Sequence, residues 1–193
     1  KPIIGCEVYT AVRKLTDRDA EKDKRQGHLI LLIKNETGYK NLIKIVSEGF
    51  IRGYYYKPRI DKDVLRAHSE GLICLSACLS GDLPKLLLQG RYDDAEAYVR
   101  EMQDIFGEKN FYVEIMDHGI REEKIVMPRL ISLAREMNVP LVATNDCHYL
   151  EEKDADAQEV LLCIQTGKTL DDANRMRMDT RQLYVKSEDE MRT

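Results

Sequence analysis

The sequence lacks any apolar run approaching the roughly 20 residues that a membrane-spanning helix needs, and it lacks a secretory leader. Its five cysteines are an odd number at irregular spacing, so the pattern favours reduced thiols in the cytoplasm over a disulfide framework. The net charge is −4, whereas a surface that binds nucleic-acid phosphates usually has an excess of positive charge. Any contact with DNA should therefore be local, or be supplied by another part of a larger protein.

What is present indicates a soluble globular domain, since 43% of the 193 residues are hydrophobic and 33% are charged. The chain opens on Lys1-Pro2-Ile3-Ile4 without a methionine and enters a strand almost at once. At the other end, Ser187 followed by Glu190 is typical of the first turn of a helix. We therefore expect a piece of a longer protein.

Strand-like runs alternate with amphipathic helical patterns, which predicts an α/β fold with βαβ units. The predicted strands are 3–9, 28–33, 72–77, 111–116 and 141–144. Predicted helices are one capped by Asn35, then 61–68, 83–88, 93–106, 122–137 and 155–164. Residues 53–58 are predicted to be an aromatic, basic loop, and the tail after Thr169 is polar except for an apolar run at 183–185.

The most informative stretch is Pro140-Leu-Val-Ala-Thr-Asn-Asp-Cys-His-Tyr149, a short apolar run that ends in metal-capable side chains. Asp146 and His148 are two residues apart, so on an extended backbone they would point to the same side and could hold one cation. A plain turn is the alternative, because Asn and Asp are ordinary turn residues.

Other candidate site residues lie where predicted strands end and loops begin, which is where active-site residues are found in α/β folds. Glu7 lies within an apolar strand, which is costly unless the carboxylate is paired, ligating or solvent-facing. Cys78 is a candidate ligand or simply a small buried hydrophobe. Asp117 and His118 follow a strand, and His118 would either cap the next helix or line an active site.

His28 differs from these residues because it begins its predicted strand instead of ending it. If residues 13–27 fold the chain back as a hairpin, the second strand runs antiparallel to the first. His28 would then lie beside Glu7 at the same rim of the sheet.

Together these segments resemble the polymerase-and-histidinol-phosphatase (PHP) domain, in the version at the N-terminus of bacterial replicative DNA polymerase III alpha subunits. The matching segments are Gly5-Cys-Glu-Val-Tyr9, Gly27-His-Leu-Ile-Leu-Leu32, Gly38-Tyr-Lys-Asn-Leu42, Leu75-Ser-Ala-Cys-Leu-Ser-Gly81 and Ala143-Thr-Asn-Asp-Cys-His-Tyr149. Two further segments, Ile164-Gln-Thr-Gly-Lys168 and Tyr184-Val-Lys-Ser187, are similar to the stretch that leads toward the polymerase palm.

The resemblance implies a distorted, TIM-like β/α barrel that binds up to three divalent metal ions, usually zinc or manganese. Matched motif to motif, the family's metal ligands fall on Glu7, His28, Cys78, Asp146 and His148. The family's His-x-His motif and a later Asp-His pair lie upstream of the strand that opens this chain. We therefore expect a truncated barrel without its first strands, with a partial PHP domain at 1–165 and a linker toward the palm at 166–193.

The leading hypothesis is that the parent protein is a DNA-directed DNA polymerase, whose complete PHP domain would remove nucleotides in 3′-to-5′ proofreading. No catalytic residue is assigned beyond the metal ligands. One alternative is a non-catalytic scaffold that docks a separate exonuclease subunit. Another is a free-standing phosphatase acting on a small ester such as histidinol phosphate, against which the palm-like linker argues.

The resemblance also implies partners for the parent, namely DNA, a proofreading exonuclease subunit and a sliding clamp, with no membrane. For the piece itself we expect weak metal binding, negligible nuclease activity and self-association. The edge of the strand at 3–9 should be open, because the missing strands would precede it, and open edges are templates for strand addition.

Overall fold

The computed structural model describes residues 2–192, and these form one mixed seven-stranded sheet with helices packed against it. The strands are β1 Gly5–Ala11, β2 Gln26–Ile33, β3 Tyr54–Tyr55, β4 Lys57–Ile60, β5 Leu72–Leu75, β6 Phe111–Ile115 and β7 Leu141–Ala143. The helices are α1 Glu36–Ile51, α2 Lys62–His68, α3 Asp82–Leu88, α4 Tyr92–Phe106, α5 Arg121–Glu136, α6 Ala155–Thr166 and α7 Glu188–Met191, with a 3-10 turn at Glu152–Asp154.

The sheet has the strand order β3-β4-β1-β2-β5-β6-β7 and does not close within residues 2–192. Strand β2 runs antiparallel to both β1 and β5, whereas β5, β6 and β7 run parallel to one another. The predicted α/β class is confirmed, and the open sheet is consistent with part of a TIM-like barrel. Lys1 and Thr193, the two ends on which the expectation of a longer protein rests, lie outside the described residues.

Local sequence signals set the ends of several helices. The Asn35 side chain accepts a hydrogen bond from the Gly38 amide at 3.0 Å, and Asp61 caps α2 in the same way through Val64 at 3.1 Å. Gly107, with a φ of 85°, ends α4 in a conformation that favours glycine. The predicted helix beginnings and ends are thus confirmed to within one or two residues.

The prediction of a loop at residues 53–58 is wrong. Strand β3 pairs antiparallel with β4, and Tyr56 makes the tight turn between them with a φ of 61°. This left-handed turn usually carries Gly, Asn or Asp, so a tyrosine there gives no hairpin signal in the sequence.

The hairpin also corrects the expectation of an open edge on the first strand, which begins at Gly5 instead of Ile3. Strand β4 pairs with β1 at Tyr9 and Thr10, so β1 lies inside the sheet at that end. Within residues 2–192 the Gly5–Val8 part of β1 and Ala11 lack a strand neighbour on that side.

Strand β7 is not the buried strand that its apolar sequence suggests. Leu141 is 36% exposed and Ala143 is also exposed. The strand is the last one of the open sheet, and within residues 2–192 its only strand neighbour in the sheet is β6.

The core lies between the sheet and its helices and includes completely buried side chains such as Leu31, Ile45, Leu83 and Phe111. No helix in the described part of the chain is both long and apolar enough to cross a membrane.

A buried arginine fixes the long irregular loop between β1 and β2. Arg59 is fully buried, and its guanidinium donates hydrogen bonds to the backbone carbonyls of Leu15, Asp17 and Asp23 at 2.8–3.3 Å. Asp61 accepts a hydrogen bond from the Leu15 amide at 2.9 Å. The loop is therefore held by charge-assisted hydrogen bonds despite its lack of regular structure.

Candidate metal centre

One cleft of about 450 Å³ collects the candidate metal-binding side chains at a rim of the sheet. The β1–β2 hairpin, the loop after β5 and the loop after β7 meet there. The sequence-predicted residues that line the cleft are Glu7, His28, Cys78, Asp146 and His148.

The β1–β2 hairpin brings Glu7 and His28 together, as predicted from the polarity of the two strands. His28 lies opposite Tyr9 in the antiparallel ladder, and Glu7 is two residues from Tyr9 on the same face of β1. The Glu7 Oε1 atom is 3.9 Å from His28 Nε2. His28 is buried, whereas Glu7 is exposed toward the cleft, so this carboxylate is not an isolated charge in the core.

Cys78 completes a close group on this side of the cleft. Its Sγ atom is 3.3 Å from His28 Nε2. Two atoms bound to one tetrahedral zinc lie about 3.5 Å apart, given bonds of roughly 2.0–2.3 Å, so the pair has the spacing of two ligands of one metal. Burial raises the pKa of the Cys78 thiol to about 11, and the carboxylates of Asp146 and Glu7 also raise it. Metal binding would therefore have to displace a proton from the sulfur.

The geometry of Asp146 and His148 differs from the extended backbone assumed for them. Asp146 has a φ of 41°, a left-handed turn conformation. The His148 Nδ1–H group donates to the backbone carbonyl of Asp146 at 2.7 Å, which leaves Nε2 as the nitrogen with a free lone pair. Histidines that bind metals commonly donate their other ring N–H to such a carbonyl. The turn and the candidate metal site, which the sequence offered as alternatives for Asp146 and His148, thus occur together in one loop.

The cleft does not form a closed coordination shell. Among residues 2–192, no three His, Cys, Asp or Glu side chains lie close enough together to hold a metal ion. Two carboxylates, two imidazoles and a thiol are a suitable set of ligands for zinc or manganese, but they are more widely spread than a bound ion requires. The assignment of the five residues as ligands stays a prediction.

Sequence reasoning missed Glu114, a buried carboxylate in the middle of β6. Its Oε2 accepts a hydrogen bond from the Ala77 amide at 2.7 Å, and its Oε1 accepts one from the Thr144 hydroxyl at 2.8 Å. One side chain thus ties together the ends of β5 and β7, just before Cys78 and Asp146. Burial raises the pKa of Glu114. An acidic residue inside an apolar strand was the signal that singled out Glu7, and it applies equally here.

His118 fulfils both roles that the sequence left open, because it lines the cleft and fixes the next helix. Its Nδ1–H donates to Glu123 Oε1 at 2.6 Å, and its backbone N–H donates to Oε2 of the same carboxylate at 2.8 Å. Its Nε2–H donates to the carbonyl of Asn145 at 3.0 Å. Burial lowers the pKa of His118, but the hydrogen bond and charge of Glu123 outweigh it, so the pKa is raised. Asp117 is exposed, and the cleft lining does not include it.

The polar tail folds back over the cleft instead of leading straight away from it. The Asn145 side chain donates to the carbonyls of Gln182 and Tyr184 at 2.8 and 2.7 Å, and the His148 amide donates to the Leu183 carbonyl at 2.8 Å. The predicted apolar run at 183–185 therefore lies beside the loop after β7. The domain boundary between residues 165 and 166 stays a prediction.

Comparison with known proteins identifies the family of the chain. The PHP domain family matches residues 1–118. The DNA polymerase III alpha subunits of Treponema pallidum and Borreliella burgdorferi are 50% and 47% identical to the chain over 192 residues, and that of Thermus aquaticus is 47% identical over 194 residues. These matches cover 99–100% of this chain but only 16–17% of each relative. The chain therefore belongs to the PHP domain family, whose members are generally metal-dependent.

Proposed function

We propose that the chain is part of a bacterial DNA polymerase III alpha subunit, a DNA-directed DNA polymerase of the cytoplasm, and that it contributes the PHP domain. Support comes from relatives of that name that match the chain along 99–100% of its length. The reading as a free-standing phosphatase is not favoured, because these relatives are about six times as long as this chain and carry the name of a polymerase subunit.

We further propose that the cleft is a metal-dependent phosphodiesterase site that removes nucleotides from a 3′ end. The observation that carries this proposal is the convergence of five donor side chains from distant segments on one cleft. When bound, a divalent cation supplies an acidified water and neutralises phosphate charge. Glu7 and Asp146 would hold it through carboxylates, His28 and His148 through neutral nitrogens, and a Cys78 thiolate would favour zinc over manganese.

The open spacing of these donors supports a second candidate function, a scaffold that docks a separate exonuclease subunit. The same spacing leads us to propose weak metal affinity and negligible nuclease activity for the chain by itself. For the whole subunit we propose DNA, a proofreading exonuclease and a sliding clamp as partners. The uncovered Gly5–Val8 edge, next to the exposed side chains of Ile3 and Ile4, supports self-association of the chain alone, which sedimentation velocity would measure.

The test is hydrolysis of a 3′-labelled primer by an intact alpha subunit that contains this chain. We expect Asp146→Asn to reduce metal-dependent hydrolysis by about a hundredfold or more, since even a residue that only orients a ligand is worth 10–100-fold. Polymerisation should continue at its normal rate. Asp117→Asn is the matched control, because this exposed carboxylate is absent from the cleft lining.

Two outcomes would overturn the phosphodiesterase proposal. If Asp146→Asn hydrolyses the primer as fast as the unchanged subunit, the cleft is not the site. If the unchanged subunit shows no hydrolysis but binds an exonuclease subunit through this domain, the scaffold function is the correct one.

A further inference from the structure

A second pocket, of about 390 Å³, has a charge opposite to that of the whole chain. Its lining contains one carboxylate, Asp82, and five cationic side chains: Lys22, Arg25, Lys62, Lys85 and Arg91. The chain as a whole has a net charge of −4. Positive charge is thus concentrated in one concave surface of an acidic protein, where it attracts anions most strongly.

Three of these cations keep their charge available for a ligand. Lys22 and Arg25 are exposed and form no ion pair in the described part of the chain, and Lys85 donates only to the neutral carbonyl of Gln26 at 3.2 Å. Lys62 and Arg91 are less available, because they pair with Glu101 and Asp94 at the edge of the pocket.

The loop that carries Lys22 and Arg25 is ordered by contacts on its inner side. Besides the Arg59 contacts, the fully buried Asp23 accepts two hydrogen bonds from Arg13, at 2.9 and 2.6 Å, and one from the Asp19 amide at 2.8 Å. Because the loop is already held, less conformational entropy is lost when an anion binds.

The basic pocket and the candidate metal centre lie on opposite faces of the β1–β2 hairpin, near the same rim. Tyr9 and His28 line the cleft, whereas their chain neighbours Thr10 and Gly27 line the pocket. The cleft is acidic and suited to cations, while the pocket is basic and suited to phosphates. A small phosphate ester would occupy only one of these sites, but a chain of successive phosphates could reach both.

We propose that the basic pocket binds the phosphodiester backbone of a single nucleic-acid strand whose end lies in the metal cleft. This inference rests on the proposed phosphodiesterase function and extends it, because it assigns the strand's backbone a second binding site outside the metal cleft. Lys22, Arg25 and Lys85 supply the charge that attracts the phosphates.

The test measures binding of a fluorescein-labelled oligodeoxythymidylate to the chain by anisotropy, in EDTA and over a range of salt concentrations. We expect the double variant Lys22→Glu and Arg25→Glu to bind at least about tenfold more weakly than the unchanged chain. For this variant, the slope of log K against log salt concentration should be shallower by roughly 1.4, because two phosphate contacts are lost and each contributes about 0.7 to the slope. Lys44→Glu with Lys109→Glu is the matched control, since these exposed lysines form no ion pair within residues 2–192, lie outside the pocket and undergo the same charge change.

Competitors separate the possible sources of the anion. Unlabelled oligonucleotide should displace the probe at far lower concentration than inorganic phosphate or an acidic polyglutamate peptide. Equal competition by phosphate or by the peptide would overturn the inference, as would equal binding by the two double variants. EDTA keeps the result independent of metal-dependent hydrolysis, so a failure here is distinguishable from a failure of the proposed phosphodiesterase.

Discussion

Replacing Glu114 by alanine should lower the free energy of unfolding by about 3 kcal/mol, since one buried and one half-buried donor lose their acceptor at roughly 1–3 kcal/mol each. The two donors are the Ala77 amide and the Thr144 hydroxyl. Ala77 has a φ of 66°, a strained conformation that the surrounding contacts must maintain. Metal affinity should fall by about 10–100-fold, because Cys78 and Asp146 follow the released strand ends. Denaturant unfolding and a metal titration measure the two effects.

Glu114→Gln is the discriminating control. Its oxygen can accept from Ala77 while its amide donates to Thr144, whose hydroxyl works in either direction. Because the pKa of Glu114 is raised in the fold, its contribution to stability is greatest below the unfolded pKa and declines as pH rises through the folded pKa. The glutamine variant should lose that decline and keep slow hydrogen exchange at the Ala77 amide. An alanine variant with unchanged exchange at Ala77 would contradict the proposed role.

His118→Ala should cost about 3–5 kcal/mol just below the unfolded pKa of histidine, roughly 6.5, because it leaves the carboxylate of Glu123 buried without its cation. The raised pKa of His118 means that its stabilisation is complete below the unfolded pKa, roughly 6.5, and is lost as pH rises through the folded pKa. The unchanged protein should therefore lose stability over that interval, and the variant should not. Denaturant unfolding at a series of pH values measures both.

The control for His118 is His68→Ala, a half-buried histidine at the end of α2 that forms no ion pair within residues 2–192. It should change stability by less than about 1 kcal/mol. If the two variants lose stability equally, or if His118→Ala keeps the normal pH dependence, the His118–Glu123 ion pair does not stabilise the fold.

The features that the sequence predicted well depend on local chemistry. Asn35 and Asp61 cap helices through residues three positions away, so the signal and the structure share one short window. The placement of His28 beside Glu7 needed only the reversal of one strand, which the long segment between β1 and β2 permits.

The features that the sequence did not predict depend on distant parts of the chain. Glu114 acts through Ala77 and Thr144, which are 37 and 30 residues away. The exposure of β7 follows from its place at the end of an open sheet, which its own apolar sequence does not encode. The turn at Tyr56 also depends on distant residues. Its backbone conformation is unfavourable for tyrosine, and β4, which follows the turn, pairs with the distant strand β1.

If the cleft is a metal centre, as we propose, cobalt(II) titration of this chain should detect it. A thiolate bound to cobalt gives a charge-transfer absorption band, and Cys78 is the cysteine that lines the cleft. We predict a band that appears with weak affinity, disappears in Cys78→Ser, weakens in Asp146→Asn and persists in Cys147→Ser, the exposed-thiol control. A band that survives Cys78→Ser, or no band at saturating cobalt, would show that Cys78 does not bind a metal in this cleft.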